Sequence, residues 1–95
     1  ADLVIGAESQ AMDDLAERRL APLAGLRPAS REKLADTLYA WLRHWGQRGP
    51  VAAALNVHPQ TVGYRLTQLR ELFGDALDDP QVRFELELVL RTGRR

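Results

Sequence analysis

Polar side chains at helical spacing in the second half of this chain are its best candidates for contacting another molecule. Three of them are three or four residues apart, as on one face of a helix: Gln60, Tyr64 and Thr67, with Gly63 on the same face. An amide such as Gln60 can pair bidentately with adenine in the DNA major groove, and a Tyr hydroxyl can bond a phosphate or its ring can contact a thymine methyl. We therefore expect the chemistry of this face to be hydrogen bonding to DNA.

Cations and helix-terminal groups flank this face. Arg48, Thr61 and Arg65 suit phosphate oxygens, as do the amide groups at a helix N-terminus. His58 has two open roles, as the N-cap of the helix that Pro59 begins or as a base contact. Gln60, Tyr64 and Thr67 also suit an ordinary solvated surface. The complete set of candidate DNA contacts is Arg48, His58, Pro59, Gln60, Thr61, Gly63, Tyr64, Arg65, Thr67 and Gln68.

The elements that must position these residues are two short helices joined by a tight turn. Gly49 and Pro50 are expected to begin the first of them, because Pro at the first helical position sacrifices no hydrogen bond. The small side chain of Ala52 suits the close crossing of the two helices. Asn56 tolerates the left-handed backbone that the turn needs, and Val57 fills the corner. This pattern is typical of a helix-turn-helix.

The second helix of the pair is predicted over about residues 59–73, and Gly74 ends it. Its buried stripe follows helical periodicity: Val62, Leu66, Leu69 and Phe73. In a helix-turn-helix the outer side of this helix lies in the major groove. We therefore predict residues 59–73 to be the recognition helix.

Three further helices complete an all-α chain of about five helices. The first covers about residues 8–20, and the last follows the Asp79 cap and ends near Thr92. Between them Ser30 is predicted to cap a helix with a wide apolar stripe: Leu34, Leu38, Trp41, Leu42 and Trp45. We expect both Trp residues to anchor the core, the alternative being ligand stacking. Residues 1–29 are assigned to an N-terminal helix and linker arm, and residues 30–95 to the helix-turn-helix domain.

The last helix has two apolar sides. Val82 and Leu86 belong to the stripe that faces the core, whereas Phe84 and Leu88 lie roughly opposite. Either the helix is enclosed within its own fold, or its second side meets another subunit.

Composition limits the classes of function. The 95 residues carry 13 basic and 13 acidic residues, a net charge of zero, so any attraction to DNA must be local. The charged residues between positions 47 and 73 are Arg48, Arg65, Arg70 and the single acid Glu71. Because this local positive charge is small, we expect two copies of the chain to bind DNA together. No paired nucleophile and base and no metal-ligand spacing occur, which argues against an enzyme and against a cofactor or metal. The absence of Cys and of a long apolar run favours a cytoplasmic protein without membrane contact.

The order of these motifs resembles the C-terminal helix-turn-helix domain of PucR-type bacterial transcription regulators, a group that includes purine-catabolism and sugar-diacid regulators. The matching pieces are residues 34–42, 51–58, 61–66 and 77–86, with 20–23 similar to the segment that leads into this domain. The turn is also similar to that of the bacterial factor for inversion stimulation, so a Fis-like fold is expected. The family commonly carries Arg and Asn where Pro59 and Gln60 stand, and often Arg in place of Gly63.

The resemblance implies a sequence-specific DNA-binding output module of a larger regulator with an N-terminal sensory domain. Operator DNA would be the partner, and a homodimer the binding form. An alternative stays open: a helical protein-interaction or dimerisation module without DNA binding. The neutral net charge and the second apolar side of the last helix favour that alternative.

Overall fold

Five α-helices and two short 3₁₀ segments make up the computed structural model, which describes the backbone of residues 2–93 and the side chains of residues 10–93. Residues 2–93 contain no strand, so the all-α prediction is confirmed. No helix in this range is long and apolar enough to cross a bilayer. In chain order the elements are α1 (Asp2–Arg19), a 3₁₀ segment (Ala21–Leu23), α2 (Pro28–Arg43), α3 (Arg48–Leu55), α4 (Pro59–Phe73), a second 3₁₀ segment (Gly74–Asp78) and α5 (Pro80–Thr92).

Helix α2 lies at the centre of the molecule and packs against α3, α4 and α5. All these helices contribute apolar side chains to one core, and removing such side chains from water is the main source of their mutual affinity. Its buried members are Leu23, Leu34, Leu38, Ala40, Trp41, Val51, Ala52, Val62, Leu69, Phe73, Leu77, Val82, Leu86 and Leu90. The predicted stripes of α2 and α4 are therefore largely confirmed, with Leu42 and Leu66 partly buried at the edge.

The N-terminal segment is part of the same packing arrangement. Helix α1 lies against α5, where Arg19 Nε and Glu85 Oε1 form an ion pair of 2.6 Å. Leu23, in the first 3₁₀ segment, is only 1% exposed within the core. The division of the chain at residue 30 stays a prediction. Leu23 precedes that boundary, but its side chain packs in the core formed by the helices that follow it.

Several predicted helix starts are wrong. Helix α2 begins at Pro28 and not after Ser30, which is an exposed residue inside the first turn. A Pro at the first position has the helical φ already and no N–H to satisfy, so no side-chain cap is required there. Helix α1 begins at Asp2 instead of residue 8, and α3 begins at Arg48, ahead of Gly49 and Pro50.

The two Trp residues of the α2 region have opposite environments, so the prediction that both anchor the core is wrong for Trp45. Trp41 is buried, whereas Trp45 is 87% exposed. Helix α2 ends at Arg43, and Trp45 adopts a left-handed backbone with φ of 56°. The chain reverses there, with the Gly46 N–H bonded to the Trp41 carbonyl at 3.0 Å. The reversal carries the Trp45 indole away from the stripe.

Helix α5 keeps one of its two apolar sides exposed. Val82, Leu86, Val89 and Leu90 are buried as predicted, and Leu88 is half-buried. The Phe84 side chain is 62% exposed, so the fold of this chain does not enclose it. Asp79 Oδ1 accepts hydrogen bonds from the N–H groups of Gln81 (2.8 Å) and Val82 (3.4 Å), which confirms the predicted cap.

Candidate nucleic-acid interface

A left-handed corner at Asn56 joins α3 to α4. Asn56 has φ of 57° and ψ of 47°, as its position in the sequence predicted. The Val57 N–H bonds to the Ala52 carbonyl at 3.0 Å, and the Asn56 N–H bonds to the Ala53 carbonyl at 3.2 Å. This is the pair of bonds that closes a Schellman motif, in which the next residue packs on the helix just ended. Val57 is half-buried against the core accordingly, and Ala52 is buried. The direction of α4 is thus fixed by packing and by the turn.

His58 caps α4. Its Nδ1 accepts a hydrogen bond of 3.0 Å from the Gln60 N–H, and Pro59 takes the first helical position. The cap interpretation of His58 is confirmed. Because Nδ1 is an acceptor here, the proton of the neutral ring is on Nε2. The imidazole is exposed, so Nε2–H can donate to an outside acceptor such as a phosphate oxygen.

Helix α4 is amphipathic in the structure. Val62, Leu69 and Phe73 are buried on one side, while the other side presents mostly polar side chains to solvent. Its exposed residues in the first three turns are Pro59, Gln60, Tyr64, Thr67 and Gln68. The structure therefore brings together on one surface the residues that helical spacing grouped.

Gln60 and Tyr64 form a hydrogen-bonded pair on this surface. Gln60 Nε2 donates to the Tyr64 hydroxyl at 2.9 Å, and Tyr64 is 65% exposed. An amide group has two N–H donors and one carbonyl acceptor, so one donor and the acceptor of Gln60 are left for another molecule. The bond to Tyr64 orients the amide before any ligand arrives.

Arg48 extends from the start of α3 onto α4. A Cβ placed on Gly63 would lie 3.3 Å from both Cζ and Nη1 of Arg48, which is tighter than ordinary contact. The guanidinium therefore occupies space that is open because residue 63 is glycine. The sequence predicted Arg48 as a phosphate contact, but it contained no indication of this contact between the two helices.

The other predicted contacts differ in how many of their hydrogen-bonding groups remain available to DNA. Arg65 Nη1 donates to the hydroxyl of buried Thr37 at 3.4 Å, so its guanidinium is turned partly towards α2. Thr67 Oγ1 donates to the Gly63 carbonyl at 3.1 Å, which leaves its oxygen as an acceptor only. Thr61 is half-buried. The most available groups are therefore Arg48, His58, Gln60 and Tyr64.

Arg70 is outside this surface. Its guanidinium lies 5.7 Å from the centre of a Trp41 ring, and Nη1 is 3.5 Å from Asp78 Oδ1. Both interactions hold Arg70 on the core side of α4. Its absence from the predicted set of DNA contacts agrees with this position.

The side chains whose pKa is shifted in the structure lie outside the predicted set of DNA contacts. Gln81 Nε2 donates to Glu85 at 2.9 Å, and this bond together with Arg19 lowers the pKa of the Glu85 carboxyl. Arg43 donates to the Tyr39 hydroxyl at 3.1 Å and lowers the pKa of Tyr39, which raises the pKa of Arg43 in turn. In the described part of the chain no group of three His, Asp or Glu side chains is placed to hold a metal ion.

Comparison with known proteins identifies one family. Residues 34–92 match the family model described as the PucR C-terminal helix-turn-helix domain. The chain is 40% identical over 63 residues to the purine catabolism regulatory protein of Bacillus subtilis (strain 168), a match over 66% of this chain and 12% of that protein. It is 38% identical over 60 residues to the transcriptional activator PmfR of Paenarthrobacter nicotinovorans, with 63% and 13% covered.

A further relative is an uncharacterized protein in the pkwA 5′ region of Thermomonospora curvata. The identity is 39% over 71 residues, which cover 75% of this chain and 39% of that protein. The chain therefore spans 39% or less of the length of these relatives. No solved structure matches it at a significant level.

Proposed function

Because this chain belongs to the family of PucR C-terminal helix-turn-helix domains, we propose that it reads a specific DNA sequence by placing α4 in the major groove. Family membership makes the chain a DNA-binding domain of a transcription regulator and not an enzyme. The observation that carries the finer proposal is the exposed polar face of α4, held at a fixed angle by the Asn56 corner.

Gln60 is the proposed base contact. Its free carbonyl oxygen and its second N–H match the N6 donor and N7 acceptor of adenine, which lie side by side in the major groove. Tyr64 holds the amide by accepting the first N–H. An amide oriented in advance loses less conformational entropy on binding than a free one. The pair therefore favours adenine at one position of each half-site.

Phosphate contacts are proposed for the groups around this pair. The exposed His58 imidazole, with its Nε2–H donor, lies at the N-terminus of α4, where the helix dipole favours an anion. Arg48 and Thr61 flank it, as does Arg65, whose donors beyond the one bonded to Thr37 are available. Gly63 leaves the space in which the Arg48 guanidinium lies against α4.

A homodimer is proposed as the binding form. Few cations lie on the contact surface, so one copy binds weakly, and two copies on adjacent half-sites add their contacts. The exposed apolar side chains Trp45 and Phe84 line one groove together with Leu42. Arg43, Arg83 and Glu87 line the same groove. Charges of both signs allow a two-fold related copy to place Glu87, which pairs with Arg91 at 3.3 Å in its own chain, opposite a guanidinium of the first.

Sedimentation with and without duplex DNA tests the dimer. We expect Phe84→Ser to shift the chain towards monomer, because it removes apolar area from the groove. Leu72→Ser is the matched control, since Leu72 is also exposed and apolar but lies on α4 outside the groove. A wild-type chain that stays monomeric both free and on DNA contradicts this part of the proposal, and so does a Phe84→Ser chain that dimerises normally.

A place within a larger regulator follows from the relatives. The shared stretch makes up 39%, 12% and 13% of these relatives, of which one is named a regulatory protein and another a transcriptional activator. We propose that a sensory domain precedes the helix-turn-helix in the whole protein and controls it in the bacterial cytoplasm. The description of the matching family model as a C-terminal domain supports this placement.

Selection of bound duplexes from a random pool tests sequence-specific binding. We expect the wild-type chain to enrich a palindromic site with adenine at one position of each half-site. Gln60→Ala should lose the preference for adenine at that position, which reduces the binding free energy for the preferred base by ~1–3 kcal/mol. Gln81→Ala is the matched control, because Gln81 has the same position in α5 and also donates to a residue four later. If the wild-type chain enriches no sequence, or if Gln60→Ala leaves every preference intact, the assignment of Gln60 is wrong.

A further inference from the structure

Both cations of α4 itself have partners away from the exposed face. Arg65 is bonded to Thr37 on α2, and Arg70 lies over Trp41 beside Asp78. The exposed residues of the first three turns of α4 are uncharged: Pro59, Gln60, Tyr64, Thr67 and Gln68. A polyanion approaching this face is attracted mainly by whatever positive charge neighbouring elements supply.

Arg48 supplies such a charge from α3. Its guanidinium lies against α4 at Gly63, with Cζ and Nη1 at 3.3 Å and Nη2 at 3.5 Å from where a Cβ of residue 63 would be. All three distances concern the charged end of the side chain, so it is the guanidinium itself that occupies the notch. Among the described residues Arg48 makes no ion pair with an acid, and its charge is therefore uncompensated.

We propose that Gly63 is a positioning residue that seats the Arg48 guanidinium against α4, and that Arg48 binds a DNA phosphate from this position. The inference rests on the proposed function. Phosphate is favoured over a base edge because Arg48 is the first residue of α3, and the first helix of a helix-turn-helix crosses the sugar-phosphate backbone. A guanidinium can also bond two phosphate oxygens at once.

The salt dependence of binding isolates this contact. Each neutralised phosphate contributes about 0.9 to the slope of log affinity against log salt, whatever the base sequence. We would measure this slope on a mixed-sequence duplex of about 20 base pairs, for which phosphate contacts supply the affinity. Arg48→Ala should reduce the slope by about 0.9 per protomer, which corresponds to a loss of about eightfold at 0.1 M salt relative to 1 M salt.

Gly63→Leu tests the positioning role. Filling the notch should reduce the slope in the wild-type background and leave it unchanged in the Arg48→Ala background. A steric effect of Leu on the approach of DNA would lower the affinity in both backgrounds but would not change the slope. Gly63→Met repeats the test with an unbranched side chain that also fills the notch, and keeps it decisive if Gly63→Leu does not fold. For every variant, thermal melting in the absence of DNA shows whether the fold is retained.

Arg18→Ala is the matched control, because Arg18 is an exposed cation on α1, which packs against α5 and not against α3 or α4. It should keep the wild-type slope. An unchanged slope in Arg48→Ala overturns the phosphate contact, and an unchanged slope in both folded Gly63 variants overturns the seating. A wild-type chain that binds no duplex even at low salt instead overturns the proposed function itself, so the two failures are distinguishable.

Discussion

Helices α4 and α5 begin with the same local design and differ in charge. Each has a capping residue, then Pro, then Gln, and in each the Gln side chain donates to the residue four positions later, at 2.9 Å. In α4 the cap is the His58 imidazole and the acceptor is the Tyr64 hydroxyl. In α5 both are carboxylates, from Asp79 and Glu85.

The difference shows how one local structure can serve two purposes. A carboxylate cap neutralises the positive end of the helix dipole and repels phosphate. A neutral imidazole satisfies the same amide but leaves the dipole and an N–H donor available to an anion. The chemistry of the cap therefore distinguishes a helix N-terminus that can bind a DNA phosphate from one that repels it.

His58→Asp should have the largest effect, because it gives α4 the cap of α5. We expect the helix to remain capped and the melting temperature to stay near that of the wild type. Duplex affinity should fall by about 2 kcal/mol, roughly thirtyfold, because a carboxylate would face the phosphates. Titration of a labelled duplex at low salt measures this loss. Unchanged affinity would mean that the start of α4 does not approach DNA.

Asp79→Ala removes the α5 cap and should act on stability instead. Two backbone amides lose their acceptor, at a cost of about 1 kcal/mol in the free energy of unfolding. For a domain of this size the melting temperature falls by about 4–8 °C per kcal/mol. Affinity of the folded protein for DNA should remain within about twofold of wild type. A loss of DNA affinity comparable to that of His58→Asp would remove the distinction between the two helices.

Tyr64→Phe tests whether the hydroxyl of Tyr64 orients Gln60. The ring is retained while the acceptor of the 2.9 Å bond is lost. Preference for the adenine-containing site over a mismatched site should fall by about 1 kcal/mol, roughly fivefold, with little change in affinity for a mixed-sequence duplex. Competition between the two duplexes measures this ratio. An equal loss on both duplexes would indicate a phosphate contact for Tyr64.

Glu85→Gln should have the smallest effect and appear only in the pH dependence of stability. Bonds from Gln81 and Arg19 lower the pKa of Glu85 in the folded chain. The resulting stabilisation is present above the ordinary carboxyl pKa and is lost as the pH falls through the lowered value. Melting temperatures from neutral pH down to about pH 3 should fall less steeply in the variant than in the wild type. Equal slopes would show that the Arg19–Glu85 pair does not stabilise α1 on α5.

Local rules predicted the parts of the fold that depend on neighbours in sequence. Helical periodicity placed Leu38 and Leu69 in the core, and turn chemistry predicted the backbone of Asn56 and the caps at His58 and Asp79. Each of these features is decided within one or two helical turns. Ser30 failed because Pro28 offered a competing start that the same rules also allow.

Features that depend on contacts between distant segments were not predicted. The exposure of the Trp45 indole was missed for a local reason, because α2 ends at Arg43 and the stripe gave no indication of that end. The turn of Arg65 towards Thr37 and the seat of Arg48 on Gly63 each join residues on different helices. Periodicity shows which side of a helix a residue occupies but not which group of another helix it meets.

The contrast between the two indoles provides an optical assay of the intact domain. Trp41 is buried, with the guanidinium carbons of Arg70 and Arg83 5.7 Å and 4.9 Å from its ring centres, whereas Trp45 is open to solvent. Iodide should quench the fluorescence of Trp45 and leave that of Trp41 nearly intact. Protection from iodide on raising the protein concentration would therefore report occupation of the groove beside Trp45 without any attached label.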